Sequence, residues 1–122
     1  MSDPTIWFVK ALAKRFPSLN SLLDEHIEDN FGETLPHVFF GDVTRHAVSL
    51  FRRVEMGGDL GARKELRELL DVLEESFVAG DEPLRELIAA SFLENLPARG
   101  EDGAQIRSML GTTLSQQLGF ME

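Results

Sequence analysis

The stretch LRELIAASFLENLP, Leu84 to Pro97, decides the fold. Leu84, Leu87, Ile88, Ser91, Phe92 and Asn95 recur at helical spacing and mark one face. The opposite side is also apolar, with Ala89, Ala90 and Leu93, and only Arg85, Glu86 and Glu94 require water. A helix apolar nearly all round belongs in an interior, with partners on several sides. Asp81 is its N-cap, Glu82 and Pro83 suit the first turn, and Leu96-Pro97 stops it. The expectation is one unbroken helix from that cap to Leu96, sheathed by others.

Upstream, Asp59 caps a helix over about Leu60 to Val78. Leu66, Leu69, Leu70, Leu73 and Phe77 form its apolar stripe, and Lys64, Glu68, Asp71 and Glu75 centre its outer face. Ala79-Gly80 closes it directly before Asp81. So short a connection predicts a central antiparallel αα-hairpin. Before it, Leu35-Pro36 starts a long helix reaching Met56. Phe40, Val43, Ala47, Leu50, Phe51 and Val54 face inward there, Arg45, Ser49 and Arg52 outward, and Gly41 is a candidate kink or a point of close approach for another backbone. Gly57-Gly58 breaks the chain.

Nearer the N-terminus, Asp3-Pro4 opens a first helix with Ile6, Val9, Ala13 and Phe16 on one face, and Pro17 ends it. Trp7 is placed at the edge of the core, with contact to a partner as the lesser alternative. Ser18 is expected to cap a second helix over Leu19 to Asn30, with Leu19, Leu22, Leu23, His26 and Ile27 inside. Asn30-Phe31-Gly32 reads as its stop, with Asn or Gly in the left-handed position. Beyond Pro97, ARGEDG is a polar loop, followed by short helices at Ala104 to Leu110 and Thr112 to Leu118. No alternation of period two is long enough for a strand. The reading is an all-α single domain, residues 1–122, with five main helices and one or two short C-terminal ones.

With 122 residues the chain has enough surface for its own core. There is no cysteine, which excludes disulfides and thiolate metal sites. No signal peptide and no membrane-spanning run is seen, so the protein is expected in the cytoplasm. Acids outnumber bases 21 to 12, for a net charge of −9. That charge repels phosphate backbones and anionic membranes, and speeds encounter with a basic protein.

Catalytic motifs are missing. No serine sits in a nucleophile elbow, and the glycines form neither a dinucleotide-binding nor a P-loop pattern. The pair Glu74-Glu75 is placed on solvent faces, where nothing would shift a carboxyl pKa. His26, on an apolar face, reads as a hydrogen-bonded core residue. His37 is expected to bond a neighbouring loop carbonyl. Asp42 and His46 have the spacing of an ion pair or of two metal ligands, but a metal's first shell needs three or more. Ser91 is expected to bond a carbonyl one turn back, and Asn95 to serve the helix end. No cofactor or metal is expected, and the protein is not read as an enzyme.

The acidic clusters remain. Between Asp24 and Glu33 lie Asp24, Glu25, Glu28, Asp29 and Glu33 with no base, and Glu68, Asp71 and Glu75 add a second group. They read either as a solvated face or as a docking surface for a basic partner.

Three segments carry a resemblance: FVAGDEPLRELIAASFLENL from Phe77 to Leu96, MLGTTLSQQL from Met109, and DNFGETLPHVFFGD from Asp29 to Asp42. Together they resemble a group of small acidic all-helical bacterial domains without assigned activity. Some proteins similar to these look like immunity proteins of polymorphic toxin systems. The resemblance implies a helical fold and a toxin-binding role, and carries over no catalytic residue. The leading expectation is therefore an immunity protein that occludes a toxin's active site through its acidic surface. The alternatives are a helical adaptor holding a peptide or partner helix, and a small metal protein using His37, Asp42 and His46.

Overall fold

A computed structural model describes residues 3–122, and every described element is helical. The order is α1 (Pro4–Arg15), α2 (Pro17–Asp29), α3 (Pro36–Gly57), α4 (Leu60–Ala79), α5 (Glu82–Ile88), a π-helical turn (Ala89–Leu93), a 3-10 helix (Ala104–Met109) and α6 (Thr112–Met121). None of the described helices is long and apolar enough to cross a membrane.

Local caps form where the side chains allow. Asp3 accepts the Thr5 N–H, Asp59 that of Ala62 and Asp81 that of Leu84, each satisfying an amide with no helical partner. Ser18 does not cap α2. That helix begins one residue earlier than its expected cap, at Pro17, with Phe16 as an N-cap that makes no side-chain bond. The Ser18 hydroxyl is used across the fold instead.

The interior is one cluster drawn from all six α-helices, the π-turn and the 3-10 helix. Its hub is α3, which packs on α1, α2, α4, α5 and the π-turn. Phe39 and Phe40 of α3 are fully buried, and Phe40 stacks on Phe8 of α1 with ring centroids 6.1 Å apart. Gly41 produces no close approach: a Cβ there would meet only the Arg45 guanidinium. Trp7 is 69% exposed, contrary to its placement at the core edge. At 3.6 residues per turn it points away from Val9 and Leu12, which are buried.

The Leu84–Leu96 segment is interior, as expected, with Leu87, Ile88, Ser91, Phe92, Leu93 and Leu96 buried. It is not one helix. After Ile88 the backbone widens into the π-turn, where the Glu94 N–H donates to the Ala89 carbonyl five residues back. One extra residue in a turn sets everything downstream back by about 100°. That rotation brings Leu93 and Leu96 onto the core face, and carries Asn95 off that face into solvent. The turn that follows, where the Asn95 and Leu96 N–H groups donate to the Phe92 and Leu93 carbonyls, ends the helix and fixes where these two residues point.

At the joint between α4 and α5, Gly80 has no room for a side chain. A Cβ there would lie 2.5 Å from the Ser76 carbonyl oxygen and 2.9 Å from Leu84. Arg85 reaches back from α5 and donates to the Phe77 and Val78 carbonyls, at 3.0 and 3.2 Å. It closes a helix end that has no basic residue of its own in the last turn.

Phe92 is fully buried at the π-turn. Its replacement by alanine is expected to cost about 3–5 kcal/mol of unfolding free energy, read as a lower midpoint in guanidinium unfolding.

Candidate partner-binding surface

The five acids from Asp24 to Glu33 are all exposed, and they occupy the last turns of α2 and the turn that leads into α3. That turn is held from inside by His26, which is 4% exposed. The Leu35 N–H donates to His26 Nε2 at 3.0 Å, and the ring packs on Phe39 with centroids 5.6 Å apart. The core reading of His26 stands.

The helix stop has an unusual occupant. Asn30 is the C-cap with negative φ, and the left-handed residues are Phe31 at φ 56° and Gly32 at φ 87°. The Gly32 N–H donates to the Ile27 carbonyl at 2.8 Å, the longer-range of the two bonds of a Schellman closure, with phenylalanine in the left-handed position where glycine is usual. Phe31 is 98% exposed. An aromatic side chain thus stands in water, on backbone that disfavours it, between Glu28, Asp29 and Glu33.

The second acidic group is less uniform. Glu68, Asp71 and Glu75 are exposed on α4, but Asp71 pairs with Arg67 at 3.0 Å and Lys64 shares their face. Among the described hydrogen bonds and ion pairs, none joins this group to the α2–α3 corner. Of the eight carboxylates read as a docking surface, only the five of the corner form an unbroken acidic run.

The remaining polar residues find separate partners. His37 bonds the Ser91 hydroxyl, with Nδ1 and Oγ 2.5 Å apart, rather than a loop carbonyl. The Ser91 hydroxyl therefore does not turn back on its own helix. The Ser91 carbonyl accepts from Thr44 Oγ1 at 3.2 Å and Asn95 Nδ2 at 2.8 Å. Asp42 pairs with Arg45, and His46 with Glu65. His37, Asp42 and His46 thus point at three different neighbours. No group of three or more His, Asp or Glu side chains is placed to hold a metal ion among the described residues.

A cluster not read from the sequence joins α2, α3 and α4. Ser18 Oγ donates to Glu65 Oε2 at 2.7 Å, and His46 Nε2 lies 2.6 Å from that oxygen and 3.1 Å from Ser18 Oγ. Serine, histidine and glutamate here do not form a proton relay, because one ring nitrogen faces both partners; a relay uses the two nitrogens separately. The cluster pins three helices together. Burial pushes the Glu65 carboxyl up, but bonds from His46 and Ser18 and the charges of His46 and Arg53 outweigh it, and it rests below its usual range.

Glu74 overturns its placement on a solvent face. It is half-buried, and its two carboxylate oxygens accept the N–H groups of Thr113 and Leu114 at 2.9 and 2.8 Å. It caps α6 from another helix, where the local N-cap is Gly111 without a side chain. A Cβ on Gly111 would lie 2.7 Å from the Glu74 carboxyl carbon. Burial pushes this carboxyl up as well, and the amide bonds again bring it below the usual range.

Residues 9–118 match the family model described as a domain of unknown function, DUF7674. The chain belongs to the DUF7674 family. No curated protein and no solved structure matches it. The DUF7674 span contains the acidic corner, the π-turn and both cross-helix carboxylates.

Two outcomes follow from those carboxylates. A group held below its ordinary value of 4.5 stabilises the fold at pH above that value, and the contribution is lost as pH falls through the lowered value. Glu74→Gln and Glu65→Gln are each expected to flatten the acid limb of a stability-against-pH curve measured by urea unfolding. Glu74→Ala is further expected to cost about 1 kcal/mol at neutral pH, the usual effect of a lost cap.

Proposed function

We propose that this DUF7674 domain is a cytoplasmic immunity protein that binds a cognate toxin domain directly and covers its active site. The observation that carries the reading is the α2–α3 corner, where a fully exposed Phe31 is set among five carboxylates that make no ion pair among the described residues. Interfaces are dominated by a few anchors, often aromatic, ringed by polar groups that fix orientation. An anchor framed by carboxylates suits a basic cleft, such as one that binds nucleic acid or nucleotide. The acidic net charge speeds the encounter. The likeness of the Asp29–Asp42, Phe77–Leu96 and Met109–Leu118 segments to domains that resemble immunity proteins supports the same role. An adaptor that holds an amphipathic helix is less well supported, because every described surface cleft carries charged side chains on its lining.

The first test is expression of the adjacent gene with and without this protein. The neighbour alone is expected to arrest growth, and the pair to grow and to co-purify. A harmless neighbour rejects the reading. The second test separates binding from folding. Phe31→Gly relieves a left-handed non-glycine residue, so its unfolding free energy is expected to stay within about 1 kcal/mol of the parent's. Its affinity for the toxin is expected to fall by roughly 30-fold, the scale of a lost aromatic hot spot, in a calorimetric titration.

A further inference from the structure

Charge is unevenly spread along this chain. Five of the twelve Lys and Arg residues fall between Arg52 and Arg67, at the end of α3 and the start of α4, against three acids, Glu55, Asp59 and Glu65; Arg52, Arg53 and Arg67 are paired with Asp102, Asp59 and Asp71. The acid-only run from Asp24 to Glu33 precedes α3. Helix α3 has 22 residues and spans about 33 Å, so the two charged regions sit at its opposite ends.

The basic region has a shape as well as a charge. A surface cleft of about 400 Å³ is lined by Leu60, Arg63, Lys64 and Arg67 of α4 and by Ser108 and Met109 of the 3-10 helix. The four α4 residues are spaced i, i+3, i+4, i+7 and share one face. Arg67 is engaged with Asp71, whereas Arg63 and Lys64 make no ion pair among the described residues. Leu60 is 79% exposed at the mouth. The cleft therefore offers two free cations beside an apolar wall, and its volume admits an aromatic ring.

We propose that this cleft takes the acidic α2–α3 corner of a second copy of the chain, with Phe31 as the anchor. The corner presents what the cleft lacks: an exposed ring flanked by Glu28, Asp29 and Glu33, which meet Arg63 and Lys64 in charge-assisted bonds. The two surfaces are different patches of one molecule, so the contact is head-to-tail and leaves a free corner at one end and a free cleft at the other. It extends into rings or short chains, or closes as a two-fold dimer where both contacts form between the same two copies. Small, charged contacts of this kind are weak and reversible. A toxin that binds the corner displaces the neighbouring copy. The contact itself needs no toxin and stands even if the adjacent gene proves harmless.

Two charge-reversed variants test it: Glu28→Lys with Glu33→Lys, and Arg63→Glu with Lys64→Glu. All four positions are exposed, and far-ultraviolet circular dichroism checks that both variants fold. In sedimentation velocity, the parent's weight-average coefficient is expected to rise with concentration, while each variant alone stays at the monomer value. Mixed in equal amounts, the variants are expected to form at least a 1:1 dimer, because each keeps one native patch and the two reversed patches are again opposite in charge. Both variants retain a negative net charge, so overall attraction does not account for such a dimer. Phe31→Ala in the parent is expected to weaken self-association at least tenfold. A parent that stays monomeric up to about 1 mM, the weak limit of specific contacts, overturns the proposal. So does a mixture of folded variants that stays monomeric, or a variant that self-associates alone.

Discussion

The seam between α3 and the π-turn is the constraint on which the rest of the molecule depends. It sets Phe39 and Phe40 of α3 and Phe92 of the π-turn, all fully buried, among the largest side chains of the core. It also places a serine in that interior, and a buried polar group without a partner is costly. Ser91 is satisfied on both sides: its hydroxyl by His37, its carbonyl by Thr44 and Asn95. Thr44 Oγ1 lies within bonding reach of its own helix at Phe40 and of the facing π-turn, so one buried hydroxyl ties the two elements. The wider turn rotates Leu93 and Leu96 inward. A straight α-helix would leave Leu93 pointing off the core face and bring Asn95 back onto it.

Around that seam, helix ends are closed in two ways. Asp3, Asp59 and Asp81 cap their own helices within two or three residues. Glu74 and Arg85 act across helices, one on the first amides of α6 and the other on the last carbonyls of α4. A cross-helix cap satisfies a terminus and also fixes where one helix stands against another. In a chain without disulfides, these bonds and the Ser18–His46–Glu65 pin are the polar counterpart of the apolar packing. They leave no buried side-chain polar atom unpartnered among the described residues.

The surface is organised by α3 acting as a spacer. Five acids gather before it, and at its far end Arg63 and Lys64 make no ion pair among the described residues, so a protein with a strong net negative charge still offers a small cationic patch. Net charge alone describes the molecule poorly as a binding partner. At about 8 Å of screening length in physiological salt, a docking partner responds to the patch it meets rather than to the whole molecule. The most distinctive patch is the corner, because Phe31 gives the carboxylates a centre.

Much of this was written in the local sequence. Apolar spacing at Leu66, Leu69, Leu70, Leu73 and Phe77 and at Leu19, Leu22, Leu23, His26 and Ile27 placed two helices and their buried faces, because a stripe repeating at 3.6 residues has one way to hide. Aspartates before helix starts and glycines after them marked most boundaries, since those effects act within one turn. The exposure of the acidic corner was legible for the same reason: five carboxylates in ten residues have no way to be buried together. What the tertiary structure alone decided depends on residues far apart in the chain. Ser18 lies 47 residues from Glu65, Glu74 lies 39 from Thr113, and His37 lies 54 from Ser91. No spacing rule reaches that far, so Ser18 read as a cap and Glu74 as a solvated acid. The π-turn and the outward-facing Trp7 belong to the same class. Both were settled by which neighbours were present to pack against, and a helical period carries no record of its neighbours.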